Sequence, residues 1–310
     1  MRISTPDTWS SALGNLQKAQ QSQQDANTQI STQKIATNLE GFGRTSEVIA
    51  SYQSTMTQTN GYLSVTSTVS DRLTDQDAAI GTTSQAASDA KDSIMSALAS
   101  GDGSALMTAL DGNYSEALDG LNYQSDGQYL FGGGNDSTAP VTVNSLSALG
   151  AMGTGTAGQA FVNGTVKKTS QIDANTALQT GMLATDVGQK MMQTFQDIQQ
   201  FNDNNPDGPF GSTMTDAQKT FLTTKSQELN SEYSQLLQQQ ALNGTLQKQV
   251  ANTTTSLQGQ VSQLQTQIGD KTDADMATAY SNLQQAQVAV QASSQVLSNL
   301  SQYSLLNYLK

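Results

Sequence analysis

From Ala217 to Ile268 the chain keeps a helical periodicity whose apolar positions are sparse enough to form only a narrow stripe. Its second half reads Leu246, Val250, Thr253, Leu257, Val261, Leu264 and Ile268. The step of 22 positions from Leu246 to Ile268 makes two elevens, close to straight-helix spacing, so no strong supercoil is expected of this seam. A helix this long with one thin stripe cannot enclose a core by itself and needs a partner helix. Composition points the same way. Hydrophobic residues are 35% of the 310 and aromatics 5%, too little for a thick globular core. That is sufficient for seams between helices, where about two of every seven positions are buried.

Other segments repeat the pattern. Trp9, Leu13, Leu16, Gln23, Ala26 and Ile30 fall near a 3.5-residue period, an amphipathic helix with a thin seam, and Gly41-Phe42-Gly43 breaks it. A second helix is expected from Thr45 to Ala99, on the order of 80 Å long if continuous. Ser100-Gly101-Asp102-Gly103 has turn chemistry, and a shorter helix follows from Ser104 to Tyr123. Gln128 to Phe131 reads as a short strand before Gly132-Gly133-Gly134. Residues 135–184, rich in Gly, Thr, Ser and Val, read as short strands with Asn163-Gly164 as a hairpin turn. Helical spacing resumes near Thr185 and stops at Asp203 to Pro209. After the long helix, Gly269 to Asp273 interrupts, with Thr272 or Asp273 placed to cap the last segment. That segment sets Met276, Tyr280, Leu283, Val290 and Leu297 on one face and Val288, Val296 and Tyr303 on another. Two stripes on one thin helix imply more than one neighbour.

The expected fold is mainly α: a long antiparallel helical, coiled-coil bundle formed by the N- and C-terminal halves, with a small β-rich insertion. Residues 1–40 with 274–310 form a terminal-helix region. Residues 41–134 with 185–273 form a helical bundle with a short β-hairpin, and 135–184 a small outer domain.

Several functions are excluded by residue types. The net charge is −12 with 14 basic residues, so a nucleic acid is repelled over most of the surface. Cysteine and histidine are absent, removing thiolate and imidazole chemistry and any zinc-type site. No apolar run approaches the length of a membrane span, and no secretory signal is visible. Gly132-Gly133-Gly134 lacks the Lys and Ser/Thr of a phosphate loop and reads as a connector. Asp203 to Gly208 lacks a closing Glu and reads as a turn rather than a calcium loop. Asp270, Asp273 and Asp275 read as a helix stop and restart. No enzyme activity and no cofactor are expected.

The opening Met1-Arg2-Ile3-Ser4-Thr5, the segment Asp126-Gly127-Gln128-Tyr129-Leu130-Phe131-Gly132-Gly133 with Thr138-Ala139-Pro140, and the stretch from Asp275 through Ser293 to Ser304-Leu305-Leu306-Asn307-Tyr308-Leu309 resemble the hook-associated protein 3 family of the flagellin superfamily. One departure is clear: where family members carry a Pro-Ser-Asp-Asp-Pro-like turn, this chain reads Ile35 to Gly43. The resemblance implies an exported, extracellular subunit of the bacterial flagellum at the hook-filament junction. It implies self-assembly, with hook-associated protein 1, flagellin and an export chaperone as partners, while the charge and the short apolar runs leave no nucleic acid and no membrane among them. Filament flagellin is the nearest alternative; a coiled-coil surface adhesin is one from another class. The residues expected to pack between subunits are Trp9, Leu13, Leu16, Ile30, Leu283, Val290, Val296, Leu297, Leu300, Tyr303, Leu305, Leu306 and Leu309.

Overall fold

The computed structural model describes the backbone of residues 5–308 and the side chains of residues 7–301. Long helices dominate: α1 (Thr5–Thr32), α2 (Ser46–Ser100), α3 (Leu106–Leu121), the short α4 (Leu146–Gly150), α5 (Ala184–Asn204), α6 (Asp216–Thr272) and α7 (Met276–Tyr308). Two 3-10 helices (Glu40–Thr45 and Ala157–Ala160) and two antiparallel two-stranded ribbons complete the described elements, β1 (Gln124–Ser125) with β2 (Gln128–Tyr129) and β3 (Thr169–Gln171) with β4 (Ala177–Gln179). The fold is therefore mainly α, with strands confined to small hairpins.

The chain divides into two compact units, residues 1–58 with 259–310 and residues 59–258. In the second unit, buried positions on the two long helices recur every seven residues. On α2 they are Thr59, Thr66, Leu73, Ile80, Ala87 and Ile94; on α6 they are Leu222, Leu229, Leu236, Asn243, Val250 and Leu257. The residues named from the sequence for the second half of α6, Leu246 to Ile268, are all buried or half-buried, and the fully buried line reaches them from Asn243 through Val250 and Leu257. A strict seven-residue repeat is the pattern of left-handed supercoiling. The two helices run antiparallel, since Asn243 Nδ2 donates to Leu73 O at 2.7 Å while Gln240 Nε2 donates to Asp77 O at 3.3 Å.

Above this seam α3, α4 and α5 close a core around Tyr114, Phe131 and Phe195, with Leu110, Leu121, Leu146 and Leu149 fully buried beside them. Close approach of α3 to α2 depends on Gly120, where a Cβ would lie 2.8 Å from Ala79 O and 2.3 Å from Thr83 Oγ1. Leu146, Leu149, Ala157 and Ala160 of the inserted region join this core, while Ile172 and Leu178 pack with Val69, Leu73 and Val250. Asp126 and Gly127 both take positive φ and make the tight turn of the first ribbon. The second ribbon does not turn at Asn163-Gly164. Its turn is the loop after Ile172, held by Asp173 Oδ1, which accepts from Asn175 N and Thr176 N at 2.7 Å each. Gly164 instead lies against the Gly132–Gly134 connector, its N–H donating to Gly132 O at 2.8 Å.

A candidate assembly surface on the paired end helices

In the first unit α1 and α7 lie side by side. One stretch of groove is lined by Ala12 and Asn15 with Ser293 and Val296, another by Ala26 and Gln29 with Asn282 and Ala286, so the helices run antiparallel. Their junction is closed beyond the end of α1. Ile35 N donates to Thr272 O at 2.8 Å, Ala274 N donates to Gln33 O at 2.9 Å, and Lys34 pairs with Asp273. The bond from Lys34 holds the Asp273 carboxyl below the usual carboxylate range. The cap of α7 is neither Thr272 nor Asp273, as the sequence suggested, but Asp275. Its Oδ1 accepts from Ala277 N at 2.9 Å and Thr278 N at 3.4 Å, so its side chain meets the free N–H groups of the first turn. Bonds from the Thr278 hydroxyl and these amides lower its pKa.

The buried line between the helices consists of alanines: Ala12, Ala19 and Ala26 on α1, Ala279 and Ala286 on α7. Both series have a seven-residue step, and the intervening positions Leu16, Gln23, Ile30, Leu283, Val290 and Leu297 are half-buried. Methyl groups facing each other let two helices approach closely, which leaves larger neighbours at the margins of the contact. Trp9 and Leu13 are each 43% exposed, Val296 50%, Tyr280 54% and Val288 65%. On one margin the small side chains leave two open cavities of ≈ 620 and ≈ 410 Å³ along the pair.

Of the residues expected to pack between subunits, Trp9, Leu13 and Val296 are exposed. Leu16, Ile30, Leu283, Val290, Leu297 and Leu300 are half-buried within this chain. The side chains of Tyr303, Leu305 and Leu306, and all of Leu309, lie outside the described residues. Tyr280 belongs with the exposed set and not with the face of Leu283. The sequence reading missed Ala12, Ala19, Ala279 and Ala286, although their spacing of seven was there to be read.

Among the described residues there is no cluster of acidic, His or Cys side chains able to hold a metal, and no helix is long and apolar enough to cross a membrane. Residues 217–309, covering nearly all of α6 and α7, match the bacterial flagellin C-terminal helical region.

The carboxy-terminal third is flagellin-like.

Solved structures share the fold, among them the following two. A candidate flagellar hook-associated protein of Vibrio parahaemolyticus aligns over 74% of this chain and 97% of its own at 12% identity, with a TM-score of 0.58. Bacillus cereus FlgL aligns over 71% of this chain and 97% of its own at 14% identity, with a TM-score of 0.53. No match was found among curated protein sequences.

Proposed function

We propose that this chain is a non-catalytic structural subunit of the bacterial flagellum that joins the hook to the filament by helix packing between copies and with neighbouring subunits. The observation that carries the reading is the α1/α7 pair. Its own seam is satisfied by alanines, while Trp9, Leu13, Tyr280, Val288 and Val296 remain exposed around it. Large apolar side chains distributed around a thin helix pair stabilise little in an isolated chain and are buried when further helices pack against them. The flagellin-type C-terminal region and the fold shared with FlgL support placing that assembly in the flagellum. On this reading the chain is exported and works outside the cell. Its partners are further copies of itself, hook-associated protein 1, flagellin and an export chaperone. A filament-forming flagellin is the second reading, favoured by the same C-terminal match.

Deletion of the gene in a motile host separates these. Hooks without filaments, with flagellin shed to the medium, are the expected outcome for a junction subunit. A shortened filament would assign the chain to the filament itself. An unchanged flagellum would remove the flagellar reading and leave a surface adhesin, testable by ligand binding to residues 135–184 in the full chain.

A further inference from the structure

A seam that repeats every seven residues has an alignment problem. On α6 the line Leu222, Leu229, Leu236, Val250 and Leu257 offers nearly equivalent layers, and on α2 Leu73, Ile80, Ala87 and Ile94 do the same. Sliding one helix by seven residues, about 10 Å at 1.5 Å per residue, sets apolar layers on apolar layers again. Hydrophobic pattern alone therefore separates neighbouring registers poorly, and a specific polar contact is the usual remedy.

On α6 one layer breaks the series. Asn243 is 0% exposed in a position where its heptad neighbours are Leu236 and Val250. Its Nδ2 donates to Leu73 O at 2.7 Å, and its Oδ1 has no partner. Gln247 Nε2 donates to the same carbonyl at 3.0 Å, and Gln240 Nε2 to Asp77 O at 3.3 Å. Gln240 lies over Gly81, where a Cβ would stand 3.4 Å from its Nε2, in van der Waals contact. Seven residues to either side of Gly81 stand Thr74 and Ser88, which would crowd the same glutamine after a slip. The equivalent triplets one heptad away on α6 are Tyr233, Leu236 and Gln240, and Gln247, Val250 and Thr254, neither of which offers three amides.

We infer that Gln240, Asn243 and Gln247 form an amide clamp that fixes the axial register of α6 on α2. The unpaired Asn243 oxygen lowers stability, since a buried acceptor without a donor loses its hydration. A single alignment is what this arrangement secures. Leu73 O keeps Gln247 when Asn243 is replaced, so the replacement orphans no backbone group there.

The test uses the full chain, whose lack of cysteine allows spin labels on cysteines introduced at exposed Gln85 and Lys248, away from the clamp. The parent should show one interlabel distance by pulsed electron resonance. With Asn243→Val the midpoint of thermal unfolding should rise by about 2–4 °C, and a second distance displaced by about 10 Å should appear. A higher midpoint with a single unchanged distance would overturn the clamp and leave Asn243 an unhelpful buried polar group. A lower midpoint with a single distance would overturn it too, marking the amide as a simple stabilising contact. Asn243→Leu, read by the same two measurements, decides the matter if the valine variant does not fold.

Discussion

The hydroxyl of Tyr114 donates to Val143 O at 2.6 Å, and its ring meets Phe195 edge-on at 5.7 Å between centroids. One side chain thus ties α3, α5 and the inserted region together. Burial, with Asp111 nearby, pushes its phenol well above the ordinary tyrosine pKa, so it remains a donor throughout the accessible pH range. Tyr114→Phe keeps the ring and orphans the Val143 carbonyl. It should cost about 1 kcal/mol in urea unfolding with little change in slope. Lys225 provides a pH handle. Burial pulls its pKa down, but hydrogen bonds to Asp197 Oδ2 at 2.7 Å and Glu228 Oε2 at 2.8 Å outweigh this, and the net shift is upward. A group raised in the folded state contributes fully below its unfolded pKa, about 10.4 for lysine, and loses that contribution as pH climbs through the raised value. The difference in unfolding midpoint between the parent and Lys225→Met should therefore hold steady from about pH 7 to 9 and shrink above about pH 10.5.

Helices were legible in the sequence because apolar spacing and breakers coincide. Gly101, with φ of 71°, and Asp102, whose Oδ1 accepts from Ser104 N at 2.9 Å, end α2 and lead into α3 where turn chemistry placed the break. What each helix buries was less legible. A reading that weights large side chains picks out Trp9, Leu13, Tyr280 and Val296, whereas the closest helix contact buries Ala12, Ala19, Ala279 and Ala286. The Asn163-Gly164 hairpin failed for a related reason. The dipeptide suits a tight turn, but contact with the Gly132–Gly134 connector took precedence over local preference. The alanine seam makes a paired prediction. Ala279, 1% exposed, faces the partner helix, so Ala279→Leu should force the helices apart and cost about 1–3 kcal/mol, seen as lost helical ellipticity at lower urea. Ala289 lines the open groove and is exposed, so Ala289→Leu should leave stability within about 0.5 kcal/mol.

For the molecule as a whole, side chains that stabilise the folded chain and those proposed for assembly fall on different residues. Tyr280→Ser combined with Val288→Ser removes two exposed side chains while leaving the alanine line untouched. The circular dichroism of the full chain should be unchanged, while sedimentation velocity at concentrations where the parent polymerises should show the variant shifted towards monomer. Retained polymerisation would mean that other faces carry the contacts. The antiparallel pairing has a mechanical consequence as well. The start of α1 lies beside the far half of α7, so tension drawn through the two outer ends peels the pair open like a zip, loading one layer at a time. Each layer yields alanine methyl groups flanked by side chains that are only half-buried, where burying a full Leu or Val side chain is worth about 1.5–3 kcal/mol. The peeling force should therefore be low and nearly constant. Under load these helices would act as a fuse, parting before the core around Tyr114 and Phe195 is strained.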